Sequence, residues 1–275
     1  MSTRSAEGAH ALVAAFRSDE PAGPPVAWRL DRAVVADRLD ELITEPTRVR
    51  QGRLNLCGPA ALVSLWFARD PVGAVEYAIT LYESGRAPMG DLQVVASPQL
   101  RRLPYGLVAQ DRSCPQADWM MMAALRDSTN RMLRYRRAGG PWEAAAAITL
   151  PSAMRRWLAA TGAFETVMDE TNLVLRRGLA HAVSLEPAPD RELLLLVAQE
   201  MFRRPAARHR RAWDRVVSQL PNHWVVLRSP IRVVSDGVRF AFWSWGAVWE
   251  AVLPPEVFDR CYYGCLRAIA VPPTH

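Results

Sequence analysis

One cysteine of the chain stands in a setting that a buried structural cysteine does not require. Cys57 lies in "QGRLNLCGPAALVSLWF" (51–67), where the apolar residues after Pro59 predict a helix. Proline suits the first turn of a helix, because the N–H that it lacks would have no partner there. The positive end of the helix dipole and the unpaired backbone N–H groups at a helix start both favour a thiolate. We therefore predict that Cys57 is a nucleophile.

Two amide side chains just before Cys57 could stabilise negative charge on a substrate. Gln51 lies six residues upstream, and Asn55 lies two residues upstream. An amide N–H can donate a hydrogen bond to the oxyanion that develops when a carbonyl group is attacked. We expect Gln51 to form part of an oxyanion hole, with Asn55 as a second candidate donor.

A nucleophilic thiol also needs a base, which must come from elsewhere in the chain. His223, in "LPNHWVVL" (220–227), opens an apolar strand that can hold its ring against a hydrophobic wall. The other histidines lie near the chain ends, in a basic run and in a predicted helix: His10, His275, His209 and His181. We predict that His223 is the base, with His181 as the alternative.

These two motifs carry a resemblance to a known family. "Q51…N55-L-C57-G-P-A-A-L", followed by "N222-H223-W-V-V-L", resembles the papain-like cysteine hydrolases. The resemblance is closest to the bacterial branch that contains leader-peptide-cleaving peptidases of bacteriocin exporters and papain-like toxin effectors. It implies an α+β fold, with the nucleophile at a helix start in a helical lobe and the histidine at the start of a strand in an antiparallel sheet. It also implies the catalytic roles of Cys57 and His223 and the oxyanion role of Gln51.

The third catalytic residue is where the chain departs from that family, which usually presents Asp or Asn on the strand after the histidine. Here "FWSWG" (242–246) offers only Ser244. Counting back from a two-residue turn at 236–237, an unbroken hairpin would set Glu250 opposite His223. A bulge or strand break would bring Ser244 nearer instead. We favour Ser244 over Glu250, and we expect the tryptophans around Ser244 to pack in the core.

The order of the sequence patterns predicts the fold class. Helical spacing recurs at 31–45, 57–68, 70–85, 116–135, 150–162 and 171–187. Runs of β-forming residues follow at 191–199, 223–234, 238–252 and 261–271. Helices followed by an antiparallel sheet indicate an α+β protein. We expect a flexible lead-in over residues 1–27 and a single domain over 28–275, with a helical lobe to about 188 and a sheet lobe from about 189.

Composition excludes several other classes of protein. Four cysteines are too few for a disulfide scaffold, and no histidines stand at zinc spacing beside Cys261 and Cys265, so we expect no metal and no cofactor. The basic run at 202–213 lacks interleaved stacking residues, so we expect no nucleic-acid partner. No apolar run is long enough for a membrane span, and no cleaved leader is evident, so we expect no membrane insertion.

The sequence leaves three functions open. The favoured one is a cysteine hydrolase that cleaves an amide bond in a protein substrate, as a protease or a glutamine deamidase. We expect a bacterial effector or toxin that resides in the cytoplasm before export without a cleaved leader, with a secretion-machine or immunity partner. All 34 basic residues are arginine, which a GC-rich genome explains. An acyltransferase or transglutaminase would also explain it, because such an enzyme avoids modifying its own lysines. The missing Asp or Asn favours the third function, an inactive papain-like binding module.

Overall fold

Helices fill the first part of the chain and strands fill the last part. The computed structural model describes residues 3–18, 27–52, 54–105, 113–129, 149–202 and 220–272. The chain divides into unit 1, residues 1–163 with 273–275, and unit 2, residues 164–272. Unit 1 is mainly helical, whereas unit 2 is built on an antiparallel sheet. The protein is therefore α+β, which confirms the predicted fold class.

Unit 1 positions Cys57 at the start of its most buried helix. The described elements are α1 (Thr3–Ser18), α2 (Arg32–Thr44), α3 (Cys57–Arg69), α4 (Pro71–Ser84), β1 (Arg86–Met89), β2 (Leu92–Val95), α5 (Pro98–Arg102), α6 (Gln116–Thr129) and α7 (Pro151–Ala160). Helix α3 is buried from Cys57 to Phe67 and packs against α2, α4, α6 and α7. A helix that is apolar on all sides is expected to lie in such a core.

Unit 2 positions His223 at the start of a central strand. Its elements are β3 (Phe164–Asp169), α8 (Gly178–Val183), β4 (Arg191–Val197), β5 (His223–Leu227), β6 (Arg232–Val234), β7 (Gly237–Ser244), β8 (Ala247–Leu253), α9 (Pro255–Cys261) and β9 (Tyr262–Ala270). The strand order is β3-β9-β4-β5-β7-β6, and β8 also pairs with β7. Every described pair is antiparallel.

The two ends of unit 2 lie on neighbouring strands. Phe164, the first residue of β3, pairs with Ala270, the last residue of β9. Strand β3 falls inside the region expected to be helical, so the sheet begins at residue 164 rather than near 189.

The N-terminal segment differs from the expected lead-in. Residues Thr3–Ser18 form α1, which packs against α2 and α4 through the buried Ala9, Val13 and Phe16. The Phe16 ring meets the Tyr82 ring edge-on, with 5.2 Å between centroids. These apolar residues recur at helical spacing, whereas the expectation of a lead-in rested on the Pro/Gly-rich stretch that follows them.

The helix expected over 171–187 forms only over Gly178–Val183. The Asn172 side chain accepts hydrogen bonds from the N–H groups of Val174 and Leu175, at 2.9 and 2.7 Å. The N–H of Asn172 donates to the carbonyl of Tyr263 at 2.8 Å, which holds this segment against β9. Local bonds from Asn to the backbone compete with helix formation in this way.

Several predictions fall wholly or partly outside the described residues. These are most of the basic run at 202–213, His209, His275 and the end of the helix expected at 116–135. In the part of the chain that the structure describes, no helix is long and apolar enough to cross a membrane.

Candidate active site

The candidate nucleophile stands at the start of a helix, as the sequence predicts. Cys57 is the first residue of α3, and the carbonyl of Leu56 before it accepts the N–H of Ala60 at 2.8 Å. The first turn of α3 contains no acidic side chain, so no carboxylate there offsets the positive end of the helix dipole. This setting favours the thiolate form of Cys57.

The glycine after Cys57 has a steric role at the helix start. A β-carbon on Gly58 would lie 2.3 Å from the hydroxyl oxygen of Thr149. A contact that short cannot form without movement of the Thr149 side chain. Glycine therefore lets Thr149 pack directly on the first turn of α3.

The two candidate oxyanion donors differ in their surroundings. Gln51 is buried, and its Nε2 donates a hydrogen bond to the carbonyl of Leu54 at 3.0 Å. That bond uses one of the two amide hydrogens and holds the side chain against the loop that leads to Cys57. Asn55 is exposed. The burial and the fixed amide favour Gln51 over Asn55 as the donor.

A buried ion pair that the sequence analysis missed holds the segment before Gln51. Asp118 of α6 is fully buried and accepts hydrogen bonds from Nε and Nη2 of Arg38, both at 2.8 Å. It also accepts the backbone N–H of Arg50 at 2.7 Å, while Arg38 donates to the carbonyl of Arg48 at 2.5 Å. The pair thus fixes the backbone on both sides of residue 49.

Charge favours this pair despite its burial. Burial alone would lower the pKa of the Arg38 guanidinium, but hydrogen bonds and charge attraction from Asp118 and Glu41 raise it above its ordinary value. The only hint in the sequence is a carboxylate at Asp118 inside the apolar run "QADWMMM". Fully buried carboxylates are rare unless they are paired.

The candidate base is a buried histidine with a fixed ring. His223 is 2% exposed, and its Nε2 lies 2.9 Å from the hydroxyl oxygen of Ser244. The ring of Trp245 stacks on the imidazole, with 4.5 Å between centroids and 17° between planes. Burial lowers the pKa of His223 to about 3, so the imidazole is neutral at pH 7.

The position of a hairpin turn and a strand break together decide which residue reaches His223. Strand β6 pairs with β7 through Val234 and Gly237, whereas β5 pairs with β7 through Leu227 and Phe242. The two pairings differ in register by two residues, because residues 228–231 interrupt the strand. The turn itself lies at 235–236 rather than at the expected 236–237, because Val234 pairs with Gly237, and this moves the register by another two residues. The register that would set Glu250 opposite His223 therefore does not form, and the exposed Glu250 lies opposite Ala241.

The turn after Ser244 explains the position of the stacked tryptophan. Ser244 pairs with Ala247, so Trp245 and Gly246 form a two-residue turn with φ angles of 51° and 81°. Positive φ at both positions is typical of the type I′ turn, and it costs a residue with a β-carbon about 1 to 2 kcal/mol. The stacking on His223 offsets part of this cost.

Contrary to the expectation from the sequence, the tryptophans around Ser244 do not all pack in the core. Trp243 is buried, Trp245 is half-buried on the His223 ring, and Trp249 is exposed. The Trp249 Nε1 donates to the carbonyl of Ser244 at 2.9 Å. Trp245 and Trp249 therefore contact the Ser244–His223 pair and do not fill the core.

The alternative base and the other cysteines have different surroundings. Both ring nitrogens of His181 have partners, Tyr262 at 2.9 Å and Glu170 at 3.1 Å. None of the four cysteines forms a disulfide, and all four are buried. Burial raises the pKa of the Cys261 thiol, and burial together with Glu170 raises the pKa of Cys265 to about 12. Neither of these two thiols is suited to nucleophilic attack at neutral pH.

The structure places the candidate residues in both units. Cys57, Gln51 and Asn55 belong to unit 1, and His223 and Ser244 belong to unit 2. No family model matches the chain, and no curated protein and no solved structure matches it.

We expect Ser244→Ala to lower turnover modestly. A hydroxyl can hold one orientation of the imidazole but cannot neutralise an imidazolium as a carboxylate would, so the loss should be about tenfold, or about 1.4 kcal/mol in the barrier. Glu250→Gln, on the exposed face of β8, is the matched control and should leave kcat/KM unchanged. A large loss in the Glu250 variant together with none in the Ser244 variant would reverse the two assignments.

The buried His223 should make the fold less stable as the pH falls below its ordinary pKa. A histidine in the unfolded chain binds a proton near pH 6.5, whereas His223 in the folded chain binds one only near pH 3. The unfolded state therefore binds more protons between these values, and stability rises with pH across that window. Between pH 7.5 and 5.0 the contribution is about 2 kcal/mol.

This pH dependence is measured by urea unfolding of the wild type and of His223→Gln at both pH values. Other titrating groups are shared by the two proteins and cancel in the comparison. The free energy of unfolding should change by about 2 kcal/mol less in the variant. Equal changes in the two proteins would mean that His223 is not held neutral.

Proposed function

We propose that the protein is a papain-like cysteine hydrolase that cleaves an amide bond in a protein substrate. The observation that carries the proposal is the imidazole of His223, buried, neutral and held between Ser244 and Trp245. Because Ser244 engages Nε2, Nδ1 is the ring nitrogen that can take the thiol proton. Burial makes the ring a weak base, so its protonation depends on the negative charge that develops on the Cys57 sulfur. The helix-start position of Cys57 supplies the second part of the argument.

In the proposed reaction, Nδ1 of His223 takes the proton from the Cys57 thiol, and the sulfur attacks the substrate carbonyl carbon. The backbone N–H of Cys57 and the amide of Gln51 stabilise the oxyanion. The intermediate collapses to a thioester as the C–N bond breaks, and the imidazolium gives its proton to the leaving nitrogen. Water, deprotonated by His223, then attacks the thioester and releases the acid and the thiol.

The imidazolium that forms in this reaction has no carboxylate partner in the proposed set of residues. Ser244 orients the ring without neutralising it, so the helix dipole at Cys57 must contribute more to stabilising the thiolate. Before the reaction, the proposed pair is therefore a Cys57 thiol and a neutral His223 imidazole rather than a thiolate and an imidazolium. His223 then acts as a general base, which removes the thiol proton as the sulfur attacks.

The substrate bond is a backbone amide, in a protease, or a glutamine side-chain amide, in a deamidase. A second candidate is transfer of the acyl group from Cys57 to an amine, with which the absence of lysine agrees. By analogy with the toxin effectors that the motifs resemble, we propose a bacterial effector that is held in the cytoplasm until a secretion machine exports it. An immunity protein would be its second partner.

The proposal is tested first by the reactivity of the thiols. Iodoacetamide at neutral pH, followed by peptide mass mapping, should label Cys57 well before Cys261 and Cys265, whose thiol pKa values are raised. His223→Ala should slow labelling of Cys57 alone. Labelling of Cys57 no faster than the other thiols would instead support an inactive binding module.

The reaction type is tested by the mass of the product. The wild type and Cys57→Ala are incubated with a cell lysate, and the peptides are compared. New chain ends identify a protease, a gain of about one dalton at glutamine identifies a deamidase, and a mass increase by an added amine identifies a transferase. No difference between the two samples would contradict all three activities.

A further inference from the structure

Three side chains of unit 2 that are far apart in the sequence bring their ligand atoms together. Glu170 follows β3, His181 lies on α8, and Cys265 lies on β9. One ligand atom from each residue, an imidazole nitrogen, a carboxylate oxygen and the cysteine sulfur, lies within 4.8 Å of the other two. The distance from Oε2 of Glu170 to Nε2 of His181 is 3.1 Å, and the distance from the same oxygen to Sγ of Cys265 is 3.5 Å.

We propose that Glu170, His181 and Cys265 bind a Zn²⁺ ion as three protein ligands, with the fourth coordination position open. In tetrahedral zinc sites the metal lies about 2.3 Å from sulfur and about 2.0 to 2.2 Å from nitrogen or oxygen, so neighbouring ligand atoms are about 3.3 to 3.6 Å apart. The two distances at Glu170 are close to these values. Only small movements would open the cluster around a metal ion.

The residues behind the cluster are arranged as the outer partners of a metal site. The Tyr262 hydroxyl lies 2.9 Å from Nδ1 of His181, which directs Nε2 towards Glu170 and Cys265. The Nη2 of Arg267 lies 3.2 Å from each carboxylate oxygen of Glu170. Metal-bound histidines and carboxylates usually have such partners, which fix the ring and orient the oxygen atoms.

A β-bulge aims the strand residues at the cluster. Tyr262 and Cys265 are three positions apart and would face opposite sides of a regular strand. The pairing of β9 with β4 shifts register between Tyr262 and Cys265, and Gly264 has a φ of 106°. A bulge adds one residue to one strand, which allows both side chains to face the same side.

Glycine is required at this bulge for steric reasons as well. A β-carbon on Gly264 would lie 2.3 Å from the carbonyl oxygen of Glu170. The N–H of Glu170 donates to the carbonyl of Cys265 at 2.9 Å, so the backbone of one ligand is tied to that of another. The bulge therefore holds the two ligands together before any ion binds.

The donor set selects the class of ion. One thiolate, one imidazole and one carboxylate suit Zn²⁺, whereas Mg²⁺ and Ca²⁺ require oxygen ligands. When the ion binds, the Cys265 S–H bond breaks, the Zn–S bond forms and the proton leaves to solvent. The side chains of His181 and Glu170 are 25% and 30% exposed, so water can reach the fourth position.

This site was not expected from the sequence. The spacing of Cys261 and Cys265 is only a weak metal signal, because no histidines stand at zinc spacing beside it, and the proposed site uses only Cys265 of the two. Its other ligands come from residues 170 and 181, which β3 and α8 bring to β9. A short-range spacing pattern cannot reveal such a site.

The test is a titration of the full chain, stripped of metal by a chelator, with Co²⁺ as the optical probe. We expect one equivalent of Co²⁺ to give tetrahedral absorption bands and a thiolate-to-cobalt band, and Zn²⁺ to remove both. Cys265→Ser should abolish the thiolate band, and His181→Gln should weaken binding at least 100-fold. Cys261→Ser is the matched control and should bind as the wild type does.

Further variants separate metal binding at these ligands from a loss of folding and from the proposed hydrolase activity. Tyr262→Phe keeps all three ligands and should weaken binding about 10- to 100-fold. Cys57→Ala should bind Co²⁺ as the wild type does. The test can therefore refute the metal site without refuting the proposed hydrolase activity, and the reverse. Circular dichroism checks that each variant is folded. The His181 side chain is partly exposed, so His181→Gln should remove a ligand without leaving a cavity in the core. A wild type without a thiolate-to-cobalt band, or a band that persists in Cys265→Ser, would overturn the proposal.

Discussion

Replacing Cys57 by alanine should abolish turnover of the substrate that the lysate comparison yields, and replacing His223 by alanine should do the same. Loss of the nucleophile or the base of such a pair lowers kcat by more than about 10⁴-fold. The two residues act in one step, so the double variant should be little worse than either single variant. Independent residues would instead give losses that multiply.

The two variants should differ in their effect on stability. Cys57→Ala removes a small side chain, so its melting temperature should lie within a few degrees of the wild type. His223→Ala lowers stability by removing the hydrogen bond to Ser244 and the stacking on Trp245. It also raises stability at low pH, because it removes a buried ring that resists protonation in the fold. Calorimetry distinguishes loss of activity from loss of fold. A His223 variant that keeps substantial activity while folded would show that another group is the base.

Replacing Asp118 by alanine should destabilise the protein by about 3 kcal/mol, because the buried Arg38 charge loses the buried carboxylate that holds it and keeps only the partly exposed Glu41 as a charged partner. For a unit of this size the melting temperature should fall by about 10 °C. The loss should also release the backbone at Arg48 and Arg50, which the pair holds just before Gln51. Labelling of Cys57 by iodoacetamide should therefore change in rate as well.

The double variant Arg38→Met with Asp118→Leu is the control for this prediction. Apolar side chains of similar volume can replace a buried ion pair with little loss or even a gain of stability. Urea unfolding should therefore show the double variant to be more stable than Asp118→Ala. If Asp118→Ala changes the free energy of unfolding by less than about 1 kcal/mol, the pair does not hold the segment in the way described.

The parts of the candidate site that local sequence can specify were predicted. The helix start at Cys57 follows from an apolar run after Gly-Pro, and the strand start at His223 follows from a run of β-forming residues. Both signals lie within a few residues of the position that they define. The fold class is predicted by the order of such signals along the chain.

The parts that depend on pairing between distant segments could not be predicted in the same way. The choice between Ser244 and Glu250 depends on the turn at 235–236, one residue earlier than predicted, and on a two-residue register shift that residues 228–231 introduce. The position of Trp245 on the His223 ring depends on that register and on the turn that joins β7 to β8. A change of register by even one residue moves every side chain to the other face of a strand.

Long-range contacts account for the remaining differences. The pairing of Arg38 with Asp118 joins residues 80 positions apart, and the sequence around either residue does not predict which residue it pairs with. The strand Phe164–Asp169 was missed because it pairs with β9, about a hundred residues later in the chain. Such contacts are set by tertiary packing, which overrides local propensity.

The pairing of Phe164 with Ala270 has a consequence for how the protein can be engineered. The polypeptide enters and leaves unit 2 on adjacent strands, so a short peptide linker can join these two points. Regions with neighbouring ends tolerate circular permutation and transplantation into another chain. Residues 164–272 are therefore the segment in which to place new termini at an exposed turn, and its folding without the helical unit can be tested directly.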